Sequence, residues 1–324
     1  KSAEQVNGEG LKSWFLSDGM TYIVKEGNEY YRNNVWPTLD WTRLPGTTVE
    51  QKSRTAGGYG FGSQTFVGGT HADGYGAAAM DFAATKYQRG ANDWTRSDTV
   101  ASVSCLTAKK SYFFFDDEVV ALGSDINCSS ANPVETIAMQ WPLSTADAPL
   151  YVDGMAKPSS LGWNATLSNM TWAQADGLGY YFFPGGQTLK AKRELRSGKW
   201  SDLNLGESTT VYTNPILTLW FDHGTFATGQ TYRYAILPGK SSTEMAGYAA
   251  SAPLSILAHD GRVHAVKDHL LNAVGAIFWA ADSVDLVTVD RPCILFYRTE
   301  GNVLTIAASD PTQATSTFHV TINE

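Results

Sequence analysis

Short runs of β-branched and aromatic residues, each stopped by a turn signal, fill most of this 324-residue chain, and they constrain its fold more than any other feature. Met20 to Val24 alternates and ends at Glu26-Gly27-Asn28. Ser111 to Leu122 reads as two strands joined through Asp116-Asp117. Val134 to Trp141 is a further strand, and Gly179 to Phe183 stops at Pro184-Gly185-Gly186. Val211-Tyr212, Ile216 to Asp222 and Tyr232 to Leu237 follow, the last ending at Pro238-Gly239. Ser242 to Ala250 is the one helical pattern, closed by Pro253. The β pattern then resumes through Ser255–Ala258, Val263–Val266, Gly275–Trp279, Cys293–Tyr297, Val303–Ala307 and Phe318–Ile322. Turns every 8–12 residues or so fit sandwiches. The expected fold is all-β: a large antiparallel β-sandwich over residues 1–247, then a small C-terminal β-sandwich over residues 248–324.

Composition narrows the function classes. A net charge of −8 argues against nucleic acid as a partner. No apolar run approaches the roughly 18 residues of a membrane-spanning helix. Cys105, Cys128 and Cys293 lack metal-ligand spacing. Cys105 and Cys128 flank a strongly β segment and could bridge in a secreted chain; the alternative is three buried thiols. Asn127, Asn164 and Asn169 each begin a glycosylation sequon, a pattern that also arises by chance. Lys1 opens directly on a segment that reads as structure, like the middle of a longer protein. Gly74-Tyr-Gly76-Ala-Ala-Ala79 fits a relaxed dinucleotide fingerprint but has no βαβ context, so no cofactor is expected.

The N-terminal stretch carries the specific signal. Glu4-Gln-Val-Asn7-Gly8-Glu9-Gly10 is followed by Ser17-Asp18-Gly19-Met20-Thr21-Tyr22, then by Trp36-Pro37-Thr38-Leu39-Asp40-Trp41 and Arg43-Leu44-Pro45-Gly46-Thr47-Thr48. This resembles the hyaluronate, chondroitin AC and xanthan lyases of polysaccharide lyase family 8, with their E-x-x-N-G-E-N, D-G-M-T-Y and W-P-T-x-D…R-L-P-G-T-T segments. Lys110 to Gly123 resembles that family's K-x-W-F-F-F-D-D-E-I-V-x-L-G. Tyr234 to Gly239 resembles its Y-x-x-L-P-G, and Asp310 to Gln313 its D-P-T-Q. Gly10 stands where the family often has Asn, and Tyr112 where it often has Trp.

The resemblance implies a secreted, extracellular lyase cutting a uronic-acid-containing polysaccharide by β-elimination. It implies a partner, an N-terminal α/α-toroid domain or chain, that holds the Asn, His, Tyr and Arg of the reaction. Such an enzyme must offset the uronate charge, remove a proton and protonate the leaving oxygen. Carried onto this chain, the family's cleft-facing Glu is Glu4, a catalytic candidate that would orient a toroid side chain, with Asn7 and Glu9 beside it as substrate-binding candidates. Read from the residues alone, Asn7-Gly8 makes a turn and Glu4 and Glu9 are solvated.

Trp36 and Arg43 could stack on sugars and bind carboxylates; equally they are core and turn elements. His71, in a Gly-rich loop from Gly68 to Gly74, is a further substrate-binding candidate or simply exposed. Asp116, Asp117 and Glu118 could hold a structural calcium or form a solvated hairpin tip. His259, His264 and His269 recur every five residues and read as surface groups. Two other functions compete: a non-catalytic carbohydrate-binding β-sandwich, and a glycoside hydrolase, which needs two carboxylates that the sequence does not pair.

Overall fold

Alternation along the strands explains how the layers stack. The computed structural model describes residues 2–3, 10–25, 27, 29–30, 32–52, 59–62, 64–84, 87–90, 100–101, 104–314 and 317–323. Its centre is a nine-stranded antiparallel sheet. From edge to edge it runs Met155–Ala156, Leu150–Val152, Trp172–Ala175, Leu178–Phe182, Gln230–Pro238, Val119–Asn127, Thr107–Phe114, Tyr75–Ala83 and Val67–Ala72. Successive side chains point to opposite faces, and here both faces are covered. Leu178, Tyr180 and Phe182, with Tyr232, Tyr234 and Ile236, fill one core. Tyr181, Ala235 and Leu237, with Val120 and Leu122, fill another on the opposite face.

The first core lies against a five-stranded sheet of Asn164–Ser168, Thr188–Gly198, Tyr212–Asp222, Val134–Pro142 and Thr48–Glu50. These two sheets form the large sandwich. The second core lies against the small sandwich, whose five-stranded sheet runs Leu254–His259, Val263–Asp268, Ala273–Phe278, Cys293–Glu300 and Val303–Ser309. Beyond that sheet, a third core is closed by the three strands Asp282–Val284, Val287–Val289 and Val320–Ile322. The helix Ser242–Ala250 joins the sandwiches. Ser241 and Glu244 cap its start reciprocally, and its buried Met245 packs into the second core.

The hairpin over Asp116-Asp117, the strand from Val134 and the helix fall where the sequence places them. Other segments differ. Met20 to Val24 is extended but joins no sheet. Tyr212 to Asp222 is one strand, not two. The Gly-rich segment around His71 is a hairpin of Val67–Ala72 and Tyr75–Ala83, turning at Asp73-Gly74 with φ of 53° and 86°. Thr188–Gly198 is an eleven-residue strand that its charges conceal: Arg193 points inward, and its guanidinium donates to the carbonyls of Ala146 and Ala148. His264, expected at the surface, is 0% exposed between the two sandwiches.

Candidate functional site

Three of the motif segments meet: those of Asp18-Gly19 and of Trp36 to Gly46 are held by Lys110 and Tyr112 of the third. Trp36–Thr38 and Trp41–Arg43 are single 3-10 turns, the first with proline inside its first turn and the second capped by the Asp40 carboxylate. Trp36 is 7% exposed, and its ring meets Trp41 at 4.9 Å and Tyr30 at 6.3 Å. Arg43 lies 4.9 Å over the Trp220 ring and donates Nε and Nη2 to Glu135 at 2.7 and 3.0 Å, and Nη1 to Asp40 at 3.2 Å. The side-chain amide of Gln140 holds the turn, accepting from Asp40 N and donating to Asp40 O and Arg43 O. Trp36 and Arg43 are thus brought together, but their binding groups are turned into the packing of the W-P-T-x-D…R block.

Lys110 and Tyr112 clamp the neighbouring segments. The Lys110 ammonium, fully buried, donates to the carbonyls of Asp18 and Gly46, and burial alone pushes its pKa down to about 7. The Tyr112 hydroxyl donates to the carbonyls of Gly19 and Gly46, at 3.3 Å each. Gly46 has φ of 78°, and a Cβ there would meet Thr21 Cγ2 at 2.7 Å, so this turn requires glycine.

This clamp shapes two adjoining hollows. A groove of about 440 Å³ is lined by Gly19 to Val24 and by Tyr112, Phe114, Val119, Ile236 and Pro238. Tyr22 and Phe114 are 50% and 42% exposed there. A more polar pocket of about 320 Å³ begins at Lys25 and takes in Arg32, Asn33, Trp141, Asp176 and Asn214. Exposed rings beside exposed cations suit sugars that carry carboxylates. Tyr22 entered the sequence reading only as the last residue of the D-G-M-T-Y match, and nothing in the local pattern of Lys25 and Arg32 separates them from ordinary surface residues.

Glu4, Asn7 and Glu9 lie outside the described residues. The backbone on either side of them is anchored. Ser2 and Ala3 pair with Phe61 and Gly60. Gly10 N donates to Asn204 Oδ1 at 2.7 Å, and Leu11 N to Leu203 O at 2.8 Å. Trp200, three residues from Leu203, donates Nε1 to Asn34 Oδ1 at 2.9 Å, linking this anchor to the wall of the polar pocket. His71 is elsewhere: it is exposed on the opposite edge strand of the central sheet, beside the small sandwich's Val303–Ser309.

The acidic turn is divided. Asp116 and Asp117 are exposed, and Asp117 pairs with Lys240 at 2.6 Å. Glu118 is buried, accepts from the Tyr248 hydroxyl at 3.1 Å, and is pushed up to about 7 by burial and then by the charge of buried Asp268. Among the described residues, the one grouping of three possible metal ligands is Glu50 with Cys105 and Cys128. Those two sulfurs are joined as a disulfide, with Cα atoms 4.9 Å apart, which leaves them no capacity to bind an ion.

Comparison with known proteins matches this architecture throughout. Residues 1–249 match the family profile described as polysaccharide lyase family 8, super-sandwich domain, and residues 255–319 match the family's C-terminal beta-sandwich domain. A hyaluronate lyase of Thermasporomyces composti is 35% identical over 99% of this chain, and a xanthan lyase of Bacillus sp. (strain GL1) is 36% identical over 97%. The solved Paenibacillus xanthan lyase superposes with a TM-score of 0.88 at 36% identity, over 99% of this chain and 30% of that one. A chondroitinase AC lyase superposes with a TM-score of 0.83 at 27% identity, over 99% of this chain. The chain spans 40% and 33% of the lengths of the two sequence relatives. With both of its sandwiches matched in order, the chain belongs to polysaccharide lyase family 8.

Proposed function

We propose that this chain forms the β-sandwich part of a secreted lyase that cleaves a uronic-acid-containing polysaccharide of hyaluronan, chondroitin or xanthan type by β-elimination. The proton-transfer residues then come from a helical domain outside residues 1–324. The observation that carries this reading is the 36% identity and TM-score of 0.88 with a xanthan lyase across 99% of the chain. The anchored ends on both sides of Glu4 to Glu9 support a role for Glu4 in orienting a group across the cleft, and for Asn7 and Glu9 in meeting the sugar. The rings of Tyr22 and Phe114 in the groove, and Lys25 and Arg32 beside Glu29 and Asp176 in the polar pocket, offer stacking faces and polar groups to a sugar chain. The Cys105–Cys128 disulfide supports an oxidising, extracellular setting.

No cofactor is needed for this chemistry. The decisive experiment incubates the full-length protein, and separately residues 1–324, with each of the three polymers and follows ultraviolet absorbance of the unsaturated product. Product is expected from the full-length protein only. Turnover by residues 1–324 alone overturns the division of labour. Binding without turnover by the full-length protein favours the carbohydrate-binding alternative. Glu4→Ala in the complete enzyme is expected to lower kcat, and unchanged kinetics would remove Glu4 from the site.

A further inference from the structure

The junction between the two sandwiches is apolar over most of its area but carries one buried polar relay, centred on His264. This residue projects from Val263–Asp268 of the small sandwich, and both its ring nitrogens are bonded to the nine-stranded sheet. Nδ1 lies 2.7 Å from Ser111 Oγ, and Nε2 lies 2.8 Å from Ser124 Oγ. Ser124 Oγ also donates to the Asp260 carbonyl at 3.0 Å. Since a carbonyl only accepts, Ser124 accepts from Nε2–H, and the Ser111 hydroxyl donates to Nδ1. The chain of donors closes only on the neutral imidazole with its proton on Nε2.

Protonation at Nδ1 sets a second donor against the Ser111 hydroxyl and places a charge where water does not reach. The surroundings oppose that charge. Lys109 faces the site from the strand that carries Ser111, and its ammonium is held by Asp125 at 3.1 Å and by the Gly261 carbonyl. His259 stands edge-on at 5.1 Å, its Nε2–H donating to the Gly123 carbonyl at 2.9 Å. Trp279 closes the side at 5.6 Å. The Asp260 carboxylate is committed to the backbone N–H groups of Arg262 and Val263. Burial, with the nearby His259 and Lys109, holds the His264 pKa well below its usual 6.5. Burial and Arg233 lower that of His259, against its bond to Gly123 and the charge of Asp260.

We infer that the Ser111–His264–Ser124 relay, with His259 beside it, is an acid-sensitive latch that loosens the docking of the small sandwich onto the large one when the imidazoles are protonated. The inference is independent of which polymer the protein cuts, and its test reads docking rather than turnover.

The test is hydrogen exchange on the full chain at pH 7.5 and pH 5.0, corrected for intrinsic rates, comparing junction strands 107–114 and 263–268 with the remote strand 188–198. On going to the lower pH, the junction strands of the wild type, referenced to the remote strand, are expected to lose at least tenfold in protection relative to the same strands of the double variant His259→Gln/His264→Gln. That double variant keeps a donor and an acceptor but cannot charge, so it reports the junction's remaining pH response, that of Glu118 included. Lys109→Met removes the facing cation and is expected to shift the midpoint of loosening to higher pH, which loss of packing alone does not do. A double variant whose pH response matches that of the wild type, or a change equal in junction and remote strands, overturns the latch. If the double variant does not fold, a ¹H–¹⁵N titration of the wild-type imidazoles decides. His264 must then titrate together with the loss of protection; titration at a separate pH overturns the proposal.

Discussion

The nine-stranded sheet is buried on both faces, and the two faces are buried differently. The face inside the large sandwich is a continuous slab of rings, with Phe182, Phe221, Tyr232 and Tyr234 at centroid distances of 5.8 to 6.3 Å. The face toward the small sandwich mixes Phe113, Val120 and Leu122 with Ser111 and Ser124, which meet His264 of the small sandwich, and with Glu118 beside them. The first is built for cohesion within one folding unit. The second must also register one unit on another, and hydrogen bonds to fixed partners do that better than apolar area, which has no direction. Truncation should separate them. Phe182→Ala, at a side chain 1% exposed in the ring slab, is expected to cost about 3–5 kcal/mol in denaturant unfolding of the whole large sandwich. A loss below 1 kcal/mol would mean that the slab is not the cohesive face.

Next in size is the charged cluster on the outer side of the large sandwich. Arg43→Ala strands Glu135, whose side chain is 7% exposed and whose pKa is already raised by burial against the pull of Arg43. The expected loss is about 2–3 kcal/mol, below the figure for a fully buried pair because Arg43 is itself 22% exposed. Arg43→Lys keeps the charge but loses the fork, and should fall between. If Arg43 serves only packing, the KM of the complete enzyme stays unchanged in Arg43→Lys; a raised KM with unaltered stability returns it to the substrate surface.

The junction responds to volume as well. Gly275 faces Phe113, and a Cβ there would approach Phe113 Cδ1 at 2.4 Å. Gly275→Val should cost about 1–3 kcal/mol through overpacking. Because it strikes the docking face, it should raise exchange in strands 263–268 and 107–114 more than in strand 188–198. A uniform effect would show that the two sandwiches unfold as one unit and that the contrast between the faces has no mechanical meaning.

What the sequence disclosed follows this same division. Strands with one apolar set and one small or polar set were legible, as at Val134–Pro142 and Gln230–Pro238. Thr188–Gly198 was not, because Arg193 occupies an inward position that only the carbonyls of Ala146 and Ala148 make habitable. The Trp36–Arg43 block was recognisable by its motif, yet the motif could not say that Arg43 would spend its fork on Glu135, ninety-two positions away. His264 looked like surface because its partners, Ser111 and Ser124, come from the other sandwich. Residues whose environment is made by distant segments carry no local signal.

The smallest expected effect is a pH dependence, and it tests the junction from its other side. Glu118 has its pKa raised to about 7 from an ordinary 4.5, so the folded state binds a proton that the unfolded state has released. Its stabilising contribution is complete below about pH 4.5 and is lost as pH rises through 7. His264 has the opposite sign. Its pKa is lowered, so its contribution is complete above 6.5 and is lost as pH falls below that value. The two contributions oppose each other between about pH 4.5 and 6.5, so the junction is firmest across that window, with an alkaline limb owed to Glu118 above it and an acid limb owed to His264 below it. Melting curves across pH 4–9 should show Glu118→Gln flattening the alkaline limb and bringing the acid limb up to just below pH 6.5. An alkaline limb that survives would mean that Glu118 ionises without disturbing the docked face.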